Sequence, residues 1–260
     1  MKNFKFGFFV FLVGIFLSGN YCYSGEVDRE NLADEGTIVE SYGITFIPHA
    51  ELEYGAFDYD TGVNNGNHSD TGLAVGLTAG KGRETFDLYG RFSYADSDNS
   101  IINYGVVWAH KFSGGDRRKY FAIALENQEL KEAGDGGGYY GRGHEYWESN
   151  EVRIKPSVGF TLIKKSAFSL MSGCGGYLGM ADVEYGLFDG SNRYYENSED
   201  ITTYGLFVQS KAKYDLSEKL ALTGSFLWEG GMNSGVDLGD DSLTGFVFLW
   251  YLRFGMSYMF

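Results

Sequence analysis

The sequence predicts an all-β fold: one closed, antiparallel, up-and-down transmembrane β-barrel of about ten strands, with eight to twelve as the range the pattern allows. Three observations predict it. Apolar and polar residues alternate with a period of two from Gly43 to Phe260. The connections between alternating stretches are short and long by turns. The last stretch carries large apolar side chains at every second position up to Phe260.

Composition fits that reading. The 260 residues include 38 Gly, 20 Tyr and 21 Phe against 2 Pro, which suits strands, tight turns and an aromatic interface. The hydrophobic fraction is 43% and the mean hydropathy −0.23. Such averages resemble those of a water-soluble chain, but a strand with one apolar and one polar face averages out in the same way.

The N-terminal residues form a separate unit. Lys2 and Lys5 precede an apolar run of twelve residues, Phe6 to Leu17. A helix needs about 20 apolar residues to cross a bilayer, so the run suits a signal-peptide core. Cys22 and Ser24 stand at the −3 and −1 positions of a cleavage site, giving a signal peptide over 1–24 and Gly25 as the first mature residue. Residues 25–42 are polar and acidic and read as a periplasmic lead-in to the barrel at 43–260. Cleavage removes two lysines and no acid, so the formal charge moves from −14 to −16. An acidic chain of this kind has no electrostatic case for nucleic acid. Cys174 is then the only cysteine, which leaves no internal disulfide and no thiol pair for zinc. No metal site or cofactor is expected.

The strands follow in order. In the first, Ile44, Phe46, Ala50, Leu52, Tyr54 and Ala56 oppose Thr45, His49, Glu51, Glu53 and Gly55. In the second, Leu73, Val75, Leu77 and Ala79 oppose Ala74, Gly76, Thr78 and Gly80. Phe86, Leu88, Phe92 and Tyr94 mark one face of the third, against Asp87, Tyr89, Arg91 and Ser93. The fourth sets Tyr104, Val106, Trp108 and Phe112 against Asn103, Gly105, Ala109 and Lys111. Further strands fall near 119–130, 151–163, 167–185, 201–214, 220–229 and 244–260. In the strand at 167–185 the phase slips between Gly173 and Asp182, as a β-bulge would produce.

Short connections lie at 81–84, 113–118, 164–166 and 215–219; longer, polar, Gly-rich ones lie at 57–71, 131–149, 186–200 and 230–243, with 95–100 intermediate. With Lys119 added, the short turns hold eight Lys or Arg and four acids, while the five other connections hold sixteen acids and three bases. One rim is therefore basic and the other acidic. Short turns on one side and long loops on the other are the pattern of a membrane barrel, which must close because hydrocarbon offers no partner to an edge.

The terminal strand is the most specific signal. Trp250, Leu252, Phe254, Met256, Tyr258 and Phe260 alternate with Tyr251, Arg253, Gly255, Ser257 and Met259. This ending resembles the C-terminal strand of bacterial outer-membrane β-barrel proteins. The resemblance is at superfamily level and identifies no member. It implies an outer-membrane location, outer-membrane lipid and lipopolysaccharide as surroundings, and recognition of Phe254, Met256, Tyr258 and Phe260 by the barrel-insertion machinery.

Toward the lumen the pattern points charges of both signs: Glu51, Glu53, Asp87, Glu126 and Glu229 with Arg91, Lys111, Arg153, Lys155, Lys211, Lys213 and Arg253. Buried charges must pair or line water. Two readings follow, an ion-pair network that plugs the lumen and a narrow porin-like path for small solutes. First and last strands must meet at closure, which puts Arg253 within reach of Glu51 or Glu53.

No catalytic set emerges. Asp58, Asp60, His144 and Glu145 are residue types able to activate water, as outer-membrane proteases do at the outer rim, but they match no motif of that family residue by residue. His110 faces outward as in lipid-modifying barrels, without an evident nucleophile. Tyr139, Tyr140, Tyr146 and Trp147 lie in a Gly-rich stretch suited to surface contact. The expected role is that of a non-enzymatic barrel, structural or surface-interacting, whose external ligand the sequence does not name.

Overall fold

The computed structural model describes residues 44–60, 65–94, 100–112, 119–136, 143–189, 192–234, 236–237, 242–243 and 245–260. The expected signal peptide and lead-in lie outside them.

The strands are β1 (Thr45–Asp60), β2 (Asn65–Lys81), β3 (Glu84–Tyr94), β4 (Ser100–Phe112), β5 (Lys119–Gly136), β6 (Gly143–Lys164), β7 (Phe168–Asp189), β8 (Asn192–Asp215) and β9 (Leu220–Asn233). A two-residue pair, β10 (Val236–Asp237) with β11 (Ser242–Leu243), precedes β12 (Phe246–Tyr258). From β1 to β9 neighbours in sequence pair antiparallel, β9 pairs with β12, and β12 closes on β1 to complete a barrel of ten strands.

The size of the barrel follows from its register. Following paired residues once around, Thr45 leads through Gly80, Thr85, Ala109, Ala122, Ser157, Gly175, Phe207, Glu229 and Leu249 to Phe57. The path returns to β1 twelve residues further on. Ten strands with that stagger tilt by roughly 40° and enclose a backbone radius of roughly 10 Å. Side chains from opposite walls meet at that radius, so what the inward positions carry decides whether anything passes.

Outward positions form the apolar belt. Leu52, Leu125, Ile154, Leu178, Leu206 and Phe254 all expose about half or more of their surface. Aromatic rings band the belt at both ends. Tyr54 packs edge-on against Trp250 at 5.9 Å near one rim, and Tyr258 against Phe260 at 5.1 Å near the other. Two such bands fit side chains with an apolar body and a polar tip at a membrane surface.

The expected long connections are mostly strand. The pairing of β5 with β6 runs out to Gly136↔Gly143, and that of β7 with β8 to Asp189↔Asn192. Hydrophobic alternation ends there while the hydrogen-bonded ladder continues. Sequence periodicity reads the first and not the second. At the other end the described turns are tight, and Gly82, with φ 60°, supplies the left-handed backbone of the turn between β2 and β3.

The expected slip between Gly173 and Asp182 is absent. The β6–β7 register is constant from Ser149↔Val183 to Thr161↔Met171 and shifts only between Thr161 and Ile163. A second shift, between Leu187 and Phe188, lies in the β7–β8 pair. Glycines 173, 175, 176 and 179 remove side chains from both faces of β7, which erases the sequence pattern without moving the strand.

Candidate functional site

Inward side chains gather inside the barrel at two levels. The lower is ionic. Glu53 on β1 lies 4% exposed and accepts from Arg91 Nε on β3 at 2.5 Å, from Ser93 Oγ at 2.5 Å and from Arg253 Nε on β12 at 2.6 Å. Register places Glu53 directly opposite Arg253 across the β1–β12 seam. Arg91 also faces Asp70 at 3.8 Å and stacks on the Tyr251 ring at 3.5 Å.

A second group fills the facing wall. Glu229 on β9 accepts from Arg153 Nη1 at 2.5 Å and from Lys155 Nζ at 2.6 Å, both on β6. Arg153 also binds Glu151 at 2.6 Å and Gln128 at 3.1 Å, while Lys155 reaches Glu126 at 3.2 Å. Tyr89 donates to Glu126, and Thr203 to Glu151. The cations further lie on aromatic faces, Arg153 4.6 Å from Tyr177 and Lys155 4.8 Å from Phe207. Tyr177 can lie there because the strands beneath it carry glycine. A Cβ on Gly231 would stand 1.7 Å from the Tyr177 hydroxyl.

Toward the acidic rim the second level is apolar. Phe57, Ile101, Leu130, Val183, Ile201 and Leu249 converge from β1, β4, β5, β7, β8 and β12, with Tyr251 joining them to the ionic level. Val183 and Tyr251 have no exposed surface. A buried apolar layer of this kind offers no hydrogen bond to a water chain, and a desolvated ion crossing it pays a large electrostatic penalty.

Not every expected lumen residue joins the network. Glu53, Arg91, Glu126, Arg153, Lys155, Glu229 and Arg253 do. Asp87 pairs instead with His49 at 3.0 Å and Thr78 at 2.9 Å. Lys213 pairs with Asp215 at the rim, 2.8 Å away. Lys111 and Lys211 point inward but lie exposed near the same rim. Glu51 is buried, with Oε1 lacking a hydrogen-bond partner among the described residues. Sequence reasoning missed Asp70, Glu151 and the apolar layer. Continuing the alternation past the apolar stretches, Asp70 to Gly72 and Glu151 to Arg153, would have reached the two acids.

The remaining candidates fall elsewhere. Phe254, Met256, Tyr258 and Phe260 all face outward on the belt. Tyr139 and Tyr140 lie outside the described residues, as do the side chains of Tyr146, Trp147, Asp58, Asp60, His144 and Glu145. His110 faces outward in the lower aromatic band, its Nδ1 2.5 Å from Glu84 Oε1, and Trp108 Nε1 donates to the same carboxylate at 2.7 Å.

No protein-family model matches the chain, and no curated protein matches it by sequence. Solved structures do. The outer membrane protease OmpT from Escherichia coli aligns with a TM-score of 0.51 and 8% identity, over 83% of this chain and 97% of that one. The translocator domain of the autotransporter NalP from Neisseria meningitidis gives 0.41 and 13%, over 88% and 91%. Neisserial surface protein A gives 0.37 and 13%, over 84% and 99%. The first shares the fold of outer-membrane barrels and, at that identity, nothing more specific; the other two align too loosely to add to it.

Proposed function

We propose that the protein is a non-enzymatic β-barrel of the bacterial outer membrane, exported under residues 1–24. Its lumen is closed by its own side chains, and its role is structural or exercised through its outer surface. The observation that carries this reading is the stack of two closures, an ion-pair network beneath an apolar layer, inside a barrel of roughly 10 Å backbone radius. The apolar belt with its two aromatic bands supports the membrane location, as does a fold shared with an outer-membrane barrel.

Sugar efflux tests it. Vesicles loaded with a small labelled sugar and carrying the folded barrel should leak no faster than empty vesicles. Efflux that rises with the amount of protein would make it a narrow channel instead. Cleavage of a peptide or of lipid A by the folded protein, lost in Asp58→Ala or His144→Ala, would make it an enzyme.

A further inference from the structure

Below the ionic level the barrel opens into a wet, basic mouth. Lys111 on β4 and Lys211 and Lys213 on β8 take inward positions there, and all three lie exposed. Asp87, also inward, keeps 29% of its side chain exposed although His49 and Thr78 bind it, so water reaches that height. Acids do not balance these lysines. Asp215 pairs with Lys213 at 2.8 Å, and Glu84 faces outward, held by His110 and Trp108. The short turns around the mouth, with Lys119, hold eight Lys or Arg against four acids. A concave site lined by one sign of charge concentrates groups of the other sign.

We propose that the acidic segment 26–40 of this same chain lies in that mouth, its carboxylates against Lys111, Lys211 and Lys213. The segment carries Glu26, Asp28, Glu30, Asp34, Glu35 and Glu40 against Arg29 alone. Topology delivers it to the right end. Thr45, where β1 begins, pairs with Gly80 beside the turn at Gly82, so the chain before β1 starts from the basic rim. Length suffices as well. The mouth is about 20 Å across its backbone, and the chain from Glu35 to Thr45 spans about 33 Å when extended. Tethering holds the segment at an effective concentration on the order of millimolar, which favours it over a separate anion of similar charge. The placement follows from strand pairing and charge, and does not depend on whether the lumen conducts.

The test uses the full chain, expressed in a bacterium and purified as the folded barrel in mild detergent. At about 20 mM salt a glutamate-specific protease should cut after Glu30 and Glu35 at least tenfold more slowly than in a free peptide of the same sequence. At 1 M salt, where the Debye length falls to about 3 Å, that protection should vanish. Lys211→Gln with Lys213→Gln should remove it at low salt. Lys164→Gln with Lys165→Gln, the same change of charge on the β6–β7 turn, should keep most of it. A carbodiimide, which joins carboxylates to amines in contact, should link 26–40 to Lys111, Lys211 or Lys213 within one chain, so the placement is decided even if a lysine variant does not fold. Cleavage as fast as in the free peptide, or equal loss of protection in the two double variants, overturns the placement. Links found only between chains make a second copy the occupant and overturn it too. Phosphatidylglycerol retained in native mass spectrometry in place of the linked segment, and lost in Lys211→Gln with Lys213→Gln, overturns the choice of occupant.

Discussion

Glu53 and Arg253 meet across the β1–β12 pairing that joins the first and last strands of the barrel, Nε to Oε2 at 2.6 Å and in directly opposed register. The same carboxylate holds Arg91 at 2.5 Å. One acid thus ties three strands, β1, β3 and β12.

Removing that acid should cost more than removing one of its partners. Glu53→Gln leaves two guanidinium groups without their carboxylate, while Arg253→Met leaves Glu53 still paired with Arg91. Breaking a buried pair from one side typically costs about 3–5 kcal/mol. Urea unfolding in vesicles should place Glu53→Gln in that range and Arg253→Met below it. Equal losses would show that the seam pair and the Arg91 pair are not shared through one carboxylate.

Glu229 plays the corresponding part on the other wall, between Arg153 and Lys155. In a double-mutant cycle, Glu229→Gln with Lys155→Met should destabilise less than the sum of the single changes. The coupling should be about 0.5–3 kcal/mol, as for residues in one network. Strict additivity would mean that the two side chains do not meet.

Gly231→Val should destabilise strongly, because the new side chain would occupy the position of the Tyr177 hydroxyl. Tyr177→Ala in the same chain should recover part of the loss. The loss of heat-modifiable migration on gels reports failure to fold. An unaffected Gly231→Val barrel would place the Tyr177 ring elsewhere.

Amides in 132–136 and 143–149 should exchange slowly with solvent deuterium, since β5 and β6 remain paired there. Complete exchange within seconds would restore the long open loop that hydrophobicity alone suggests.

Much of the architecture was legible in the sequence, because a lipid-facing strand must alternate and the terminal run from Trp250 to Phe260 does so without a break. Legibility ended where alternation lost its cause. Strand continues through Glu132 and Glu148 although the hydrophobic alternation has ended there. In β7, glycine hid a register that never slipped. The interior was half read for the same reason. Charges such as Arg153 and Glu229 are conspicuous on an inward face. Ile101, Val183 and Ile201 sit on inward positions too, but as isolated aliphatics near polar stretches they give no pattern. Which charges pair depends on height and on neighbours around the barrel, information that a single strand does not hold.

The proposed closure of the lumen is tested most directly by single-channel recording in planar bilayers. Wild-type barrels, shown to be inserted, should give no stable conductance steps at moderate potentials. Phe57→Ser with Leu249→Ser, which wets the apolar layer, should begin to give them. Regular steps from the wild type, unchanged in that double variant, would contradict the closure by the apolar layer.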